Sequence, residues 1–336
     1  MEASLSDEDA PELFDTLLAG VASSPPIAPR AQPQKLGRFT LLRELGQGAF
    51  GVVFEAEDDR DGSRVALKLL RNEHPEWIYR FKREFRALAD LSHENLVRLD
   101  ELTSDAGRWY FTMELVRGLP FLEAVRAKPE RLTRAFADLA RGLSALHDAG
   151  KLHRDVKPSN VLVDERDRLV LLDFGLAMDL SQEQSVMMAG TPYYMSPEQH
   201  GYAELTPASD WYALGVILYE ALAGRGPFEG SIAQLVAQKR AGRVLPPSEL
   251  GAVVPPELEE LCLALLSVDP GARPSGPAIL ERLRGEAAPE SRIEPAAAEL
   301  FVGRALELAA LRRAFDDSRQ GTPVLALLAG ASGMGK

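Results

Sequence analysis

The stretch that decides the fold lies between residues 153 and 175. Residues 153–160 read His-Arg-Asp-Val-Lys-Pro-Ser-Asn, and residues 173–175, after two short apolar runs, read Asp-Phe-Gly. Pro158 keeps the first segment out of a helix, so its polar side chains project from a loop. Asp173 ends an apolar run, where a carboxylate is costly unless it is paired or binds a cation. We therefore expect Asp173 to bind Mg²⁺.

Asp155 and Asn160 lie in the same loop, at a spacing that predicts a carboxylate and an amide oxygen on opposite sides of one reaction centre. Together with Asp173 they would supply two ligands for Mg²⁺-bound phosphates and one free carboxylate as a base. This combination is typical of phosphoryl transfer.

A glycine-rich stretch lies further upstream, where residues 46–53 read Gly-Gln-Gly-Ala-Phe-Gly-Val-Val. A dinucleotide site would require a helix directly after the glycines. Here a β-type run follows, so the glycines predict a hairpin whose backbone N–H groups approach phosphate oxygens closely. An ordinary glycine-containing turn is the alternative.

Lys68 is the one charge in the apolar run Val-Ala-Leu-Lys at 65–68. It either faces the same cleft as the glycines and binds phosphate, or it is an edge-strand lysine that points to solvent. Glu84 follows on a predicted helix, 76–91, and is either the partner of Lys68 or a solvated surface charge.

The chain changes character along its length. Residues 38–115 contain short β-type runs, including one predicted at 95–100, and residues 119–285 are rich in helical patterns. A β-rich front followed by a helical back predicts an α+β body of two unequal lobes. The acidic, proline-rich residues 1–37 are expected to form a disordered tail, and residues 286–299 a linker.

Composition excludes several classes of protein. The chain has 38 Lys and Arg against 50 Asp and Glu, a net charge of −12, which argues against nucleic-acid binding. A single cysteine excludes a disulfide framework and fits a reducing compartment. The acidic start is unlike a secretory signal, and no apolar run is long enough to cross a membrane. We expect a cytoplasmic protein.

Residues 38–285 resemble the eukaryotic-type (Hanks-type) serine/threonine protein kinases of bacteria, which share this motif set. The resemblance implies a bilobal kinase fold, with a β-rich N-lobe and a helical C-lobe, and the use of ATP and Mg²⁺. One departure is Ser-Pro-Glu at 196–198, where the family usually has Ala-Pro-Glu. The matching motifs are the glycine-rich loop at 46–53, Val-Ala-Leu-Lys at 65–68, the loop at 153–160, Asp-Phe-Gly at 173–175, Ser-Pro-Glu at 196–198, Asp210 and Arg273.

The resemblance implies a role for each charged residue. Lys68 would hold the α- and β-phosphates and pair with Glu84. Asp155 would accept the proton of the substrate hydroxyl, and Lys157 would neutralise the γ-phosphate.

Other residues would bind the metal, brace the C-lobe or bind ATP. Asn160 and Asp173 would bind Mg²⁺, Glu198 would pair with Arg273, and Asp210 would help build a peptide-binding surface. His153 is expected to be structural. The residues implied for ATP binding are Leu45, Gly46, Gln47, Gly48, Ala49, Phe50, Gly51, Val53, Ala66, Lys68, Glu114, Val116 and Leu162, with Met113 behind the adenine.

Two details resemble the Ser/Thr rather than the Tyr subfamily. Lys157 follows the catalytic Asp by two residues and precedes a proline, and Gly-Thr-Pro at 190–192 supplies Thr191. In that subfamily the threonine hydroxyl bonds Asp155 and Lys157. A phosphorylation site at Thr191 is the alternative.

The loop after Asp173 carries Ser181 and Ser185, and we expect autophosphorylation at one of them to order the loop through Arg154. Two ordinary loop serines are the alternative. Self-association would serve autophosphorylation.

Residues 330–336 read Gly-Ala-Ser-Gly-Met-Gly-Lys and follow a strand-like run, 324–329. This fits G-x-x-x-x-G-K, so residues 300–336 resemble the truncated start of a P-loop, AAA-type ATPase domain. A disordered Gly/Ala-rich tail is the alternative.

Three functions are compatible with these motifs. The first is a kinase that phosphorylates Ser and Thr of proteins. The second is a pseudokinase that acts as a binding module, and the third is a small-molecule phosphotransferase, which Ser-Pro-Glu at 196–198 and Asp210 disfavour.

Overall fold

The computed structural model describes residues 35–48, 51–71, 74–173, 192–200 and 204–283. The predicted linker, the P-loop segment and nearly all of the predicted N-terminal tail lie outside these residues. In the part of the chain that is described, no helix combines the length and apolar character needed to cross a membrane.

An antiparallel sheet forms the first lobe, with the strand order β1-β2-β3-β4-β6-β5. It begins at Lys35, three residues before the predicted domain boundary, and Leu36 is fully buried against it. Register is regular between β3 and β4, where Gly51 pairs with Leu70 and Glu57 with Arg64. The strands are β1 (Lys35–Leu36), β2 (Phe39–Gly48), β3 (Gly51–Asp58), β4 (Arg64–Leu70), β5 (Leu99–Asp105) and β6 (Arg108–Glu114).

Helix α1 (Pro75–Ala89) packs on this sheet through an aromatic stripe. Pro75 at its first turn has the backbone angle that a helix start needs. Phe85 on the helix lies 5.5 Å from Phe111 on β6, centroid to centroid. Burying one such side chain contributes about 1.5–3 kcal/mol, so the stripe fixes the face on which Glu84 lies. The buried residues of the helix are Trp77, Ile78, Phe81, Phe85 and Leu88.

Helices build the second lobe around α4, whose residues 209–219 are all buried. A helix that is buried on every side needs apolar residues all round, and α4 has them. Gly215 lets it approach α6 closely, because a Cβ there would lie 2.8 Å from Leu265 Cβ. The helices are α2 (Phe121–Ala127), α3 (Leu132–Asp148), α4 (Pro207–Ala223), α5 (Ile232–Ala241), α6 (Pro256–Leu265) and α7 (Gly276–Leu283).

A small sheet joins the two lobes and carries the loops of the site. It contains β7 (Gly118–Pro120), β8 (Val161–Asp164) and β9 (Leu169–Leu171) in that order. The predicted strand at 95–100 is wrong in its start, because β5 begins only at Leu99. The residues before it bond to β9 instead, since Leu171 N–H donates to Asn95 O over 2.8 Å.

Candidate active site

Asp210, at the start of the buried helix α4, anchors the loop of residues 153–160. Its carboxylate accepts from the backbone N–H groups of His153 and Arg154, each over 2.8 Å. His147 Nε2 lies 2.8 Å from the same carboxylate. Burial raises the pKa of Asp210, but the His147 hydrogen bond and these donors outweigh it, so its pKa is lowered. The carboxylate therefore stays charged and holds the loop, with Arg154 at a φ of 67°.

Three polar residues of this loop come together in the structure. Lys157 Nζ lies 2.7 Å from Asp155 Oδ2. Asn160 Nδ2 lies 3.2 Å from the same carboxylate oxygen and donates to the Asp155 backbone oxygen over 2.8 Å. A carboxylate, an ammonium group and an amide thus share one small volume.

His153 is fully buried and both of its ring nitrogens contact backbone atoms. Nε2 lies 2.9 Å from Leu172 O, and Nδ1 lies 3.3 Å from Asp155 N. A ring held in this way positions the loop. It has no nitrogen directed to a substrate, so a structural role fits it better than that of a base.

Lys68 is 8% exposed and lies in the cleft rather than in solvent. Its Nζ donates to Asp173 Oδ1 over 2.7 Å, across 105 residues of sequence. Asp173 has a φ of 55°, a left-handed conformation that non-glycine residues rarely adopt. The structure therefore brings the lysine of β4 and the aspartate that follows β9 to one point.

The predicted pair of Lys68 and Glu84 is not formed in this conformation. Glu84 Oε2 lies 2.7 Å from Lys151 Nζ, and Oε1 lies 3.7 Å from Arg83. The reason is the position of helix α1, which places Glu84 against the segment just before the 153–160 loop. Lys151 thus takes the carboxylate that the resemblance assigns to Lys68.

The oxygens of Asp173 and Asn160 fit Mg²⁺. The Asn160 amide nitrogen is used by Asp155, which leaves its side-chain oxygen as the atom for a cation. Asp173 uses Oδ1 for its contact with Lys68. Carboxylate and amide oxygens are the ligands that Mg²⁺ prefers in proteins.

The three glycines of the glycine-rich stretch are needed for different structural reasons. A Cβ on Gly46 or Gly48 would meet no atom within 4 Å, so these positions border open space. A Cβ on Gly51 would lie 2.1 Å from the Leu69 backbone oxygen. Gly51 is therefore required by strand packing, and Gly46 and Gly48 leave room for a ligand. Ala49 and Phe50 lie outside the described residues.

The apolar residues implied for adenine lie on both lobes. Ala66 and Met113 are buried and face each other in the register of β4 and β6. The outer residues are more open, and Leu45 is 40% exposed. Val53, Val116 and Leu162 are half-buried.

Glu114 is bonded to two arginines that are distant in sequence, Arg98 just before β5 and Arg168 just before β9. Its backbone N–H donates to Arg98 O over 2.9 Å. Its side chain pairs with Arg168, with 3.1 Å between Oε2 and one guanidinium nitrogen. Burial raises the pKa of Glu114, but Arg168 outweighs it and the net pKa is lowered.

Glu198 and Arg273 form a buried, bidentate ion pair. The two guanidinium nitrogens lie 2.6 and 2.9 Å from the two carboxylate oxygens. Arg273 also donates to the backbone oxygens of Ala208 and Ser267, each over 2.8 Å. These bonds connect residues 196–200 to helix α4 and to the segment before α7. The predicted residues Ser181, Ser185 and Thr191 lie outside the described part of the chain.

Sequence reasoning missed Lys239. It occupies the position of helix α5 that follows Ile232, Leu235 and Val236 at the i+7 spacing of an apolar face. A lysine at an apolar position of a helix is a pattern that periodicity alone could have found. In the structure Lys239 is only 1% exposed. Sequence reasoning also missed Lys151, for which the sequence gives no comparable signal.

Comparison with known proteins gives one family. The model of the protein kinase domain matches residues 39–283. Serine/threonine-protein kinase PknA of Mycobacterium tuberculosis is 36% identical over 263 residues, covering 74% of this chain and 60% of PknA. Serine/threonine-protein kinase PrkC of Bacillus subtilis is 33% identical, covering 70% of this chain and 38% of PrkC.

A third relative is the DNA damage-responsive serine/threonine-protein kinase RqkA of Deinococcus radiodurans. It is 37% identical over 261 residues, covering 74% of this chain and 39% of RqkA. The chain thus spans 60% or less of the length of these relatives. The two-lobed α+β fold, with the loop of Asp155 in its cleft, is that of a protein kinase. The chain belongs to the protein kinase family.

Proposed function

We propose that this chain is a serine/threonine protein kinase that transfers the γ-phosphoryl group of ATP to Ser and Thr hydroxyls of proteins. The observation that supports this most is the meeting of Asp155, Lys157 and Asn160 in a loop fixed by the buried Asp210. The relatives' names support the Ser/Thr class.

Asp155 would act as the base. It accepts the proton of the substrate hydroxyl while that oxygen bonds to the γ-phosphorus, and the bond from the γ-phosphorus to the bridging oxygen breaks to release ADP. Lys157, at 2.7 Å from Asp155, neutralises charge on the transferred group. Lys157 also pairs with Asp155 and so holds its carboxylate in place.

Lys68 would bind the α- and β-phosphates as a point charge, with Gly46 and Gly48 leaving space above them. Asp173 and Asn160 would hold Mg²⁺, which when bound neutralises phosphate charge. Glu84 would pair with Lys68 after leaving Lys151.

Several further assignments belong to this proposal. Phosphorylation at Ser185 or Ser181, in trans between two copies, would raise activity. Thr191 would bond Asp155 and Lys157.

The Gly-rich residues 330–336 would be the phosphate-binding loop of a second, AAA-type nucleotide site. The acidic composition and single cysteine support a cytoplasmic kinase that acts on proteins rather than on nucleic acid or membranes.

The rival is a pseudokinase that binds nucleotide without transferring phosphate. Transfer of ³²P from [γ-³²P]ATP to a generic protein substrate separates the two, with Asp155→Asn as the comparison. We expect incorporation by the wild type and very little by the variant. Equal incorporation by both would reject the kinase.

A further inference from the structure

Lys239 on helix α5 makes an unusual set of contacts. Its Nζ donates to three backbone oxygens, those of Pro192, Tyr193 and Met195, over 2.7, 2.8 and 2.6 Å. The residue is 1% exposed. No carboxylate pairs with it among the residues that the structure describes. Three short contacts to one four-residue segment use all three donors of the ammonium group.

A buried charge without a counter-ion is costly, so its neighbours must compensate. Burial lowers the pKa of Lys239 to about 7. The three carbonyl oxygens favour the charged form, and the rings of Tyr212 and Phe228 lie 5.9 and 5.8 Å from the ammonium group. An apolar residue at this position would avoid the cost of burial, so the three bonds themselves are what the lysine supplies.

The segment that Lys239 holds lies beside the proposed base. Tyr194 and Met195 line a small cavity together with Asp155 and Gln199. Gln199 in turn donates to the Arg154 backbone oxygen over 3.1 Å. The far end of the segment is fixed independently, because Glu198 is paired with Arg273. The Tyr194 hydroxyl also donates to Glu220 of helix α4 over 2.9 Å. Lys239 is therefore the residue that attaches the backbone of residues 192–195 to helix α5.

We propose that Lys239 is a positioning residue for the protein substrate, because it fixes the backbone of residues 192–195 as the wall beside Asp155 against which the phosphate-accepting segment binds. This inference rests on the proposed kinase activity. It predicts that Lys239 affects binding of the protein substrate and leaves ATP binding nearly unchanged, since none of its contacts involves Lys68, Asp173 or the glycine-rich stretch.

Steady-state kinetics of the full chain with a generic peptide substrate tests the inference. Lys239→Met should raise the KM for the peptide about tenfold or more, since a small misplacement of a positioning element has effects of this size or larger. The KM for ATP should stay within about twofold, as uniform loss of peptide binding requires. Lys239→Arg, which keeps the charge and several donors, should recover part of the peptide KM.

Arg240→Met is the matched control, because Arg240 is the next residue on the same helix, carries the same charge and is exposed. It should leave both KM values unchanged. Lys239→Gln provides a second, neutral variant with a donor if Lys239→Met does not fold, and thermal unfolding of each variant identifies that case.

The outcomes separate the two claims. A Lys239→Met or Lys239→Gln enzyme with an unchanged peptide KM overturns the inference while the kinase activity of the wild type stands. A similar rise in the KM for peptide and in the KM for ATP, together with a lower melting temperature, also overturns it. Such a result indicates that the lysine only stabilises the fold. A wild type without phosphoryl transfer rejects the proposed function itself.

Discussion

Glu84 pairs with Lys151, whose Nζ lies 2.7 Å from Glu84 Oε2, while Lys68 pairs with Asp173. Two lysines can thus pair with this one glutamate, and in this structure Lys151 does so. The kinase resemblance implies that Lys68 holds it during catalysis. Because one carboxylate at the helix face cannot lie against both, the Lys151 pair stabilises a position of helix α1 that lacks the Lys68 contact.

The first prediction concerns this competition. Lys151→Met should raise the basal rate of phosphoryl transfer by up to about fivefold, because a partly exposed ion pair contributes about 0.2–1 kcal/mol. Initial rates measured on the unphosphorylated protein check this. The same substitution should have no effect in a Glu84→Gln background.

Arg83→Ala is the control, since Arg83 is 72% exposed and lies 3.7 Å from Glu84. Its rate should match the wild type. A Lys151→Met enzyme that is slower than the wild type would mean that Lys151 supports the active conformation instead.

The second prediction separates two glycines of one motif. Gly51→Ala should destabilise the fold by about 1–3 kcal/mol, because its Cβ would meet the Leu69 backbone oxygen at 2.1 Å. Gly48→Ala has open space around its Cβ and should keep the stability of the wild type. Its expected effect is a higher KM for ATP. Urea unfolding and ATP titration of both variants measure the two quantities, and equal stabilities would contradict the packing argument.

The third prediction follows from the buried pair of Glu198 and Arg273. Burial raises the pKa of Glu198, but the Arg273 contacts outweigh it, so the folded-state pKa lies below the usual value. A carboxylate of this kind stabilises the fold above its unfolded-state pKa, and this stabilisation is lost as the pH falls through the folded-state value. The free energy of unfolding should therefore decline below about pH 4.5.

Glu198→Gln tests this assignment. At pH 7 it should cost about 3–5 kcal/mol, because it leaves a buried guanidinium without its counter-ion. The difference in free energy of unfolding between Glu198→Gln and the wild type should become smaller as the pH is lowered. Glu257→Gln, at an exposed position of helix α6, should follow the wild type throughout. A Glu198→Gln deficit that stays constant from pH 7 to pH 3 would show that the charge of Glu198 is not responsible.

The fourth prediction concerns Lys68. Lys68→Met should reduce phosphoryl transfer by about two orders of magnitude or more, as expected for loss of a preorganised charge at the phosphates. Circular dichroism should report an intact fold, since the lysine contributes charge to the cleft and only one ion pair to the structure. Activity near that of the wild type would mean that Lys68 does not bind the phosphates.

Local patterns in the sequence predicted the β-rich first lobe and the helical second lobe. The apolar stripe of helix α1 predicted the bounds 76–91, within two residues of those observed. The strand expected at 95–100 failed because the apolar residues before Leu99 pair with β9 rather than with β6. Periodicity identifies buried residues, but it does not say which strand covers them.

Long-range contacts between charged residues were harder to predict. Asp173 and Lys68 are 105 residues apart, and only the resemblance placed them in one cleft. The Glu84–Lys151 pair depends on where helix α1 lies against the C-lobe, which no spacing in the sequence encodes. The three bonds of Lys239 go to backbone oxygens, and these carry no residue-specific signal.

The most direct measurement is the chemical identity of the phosphorylated residue. The wild type, Asp155→Asn and the exposed control Asp148→Asn are each incubated with [γ-³²P]ATP, Mg²⁺ and a generic protein, followed by phosphoamino-acid analysis. We predict phosphoserine and phosphothreonine from the wild type and Asp148→Asn, with at least about 10²-fold less label from Asp155→Asn. Equal labelling by Asp155→Asn, or label found only on tyrosine, would contradict a serine/threonine kinase that uses Asp155 as its base.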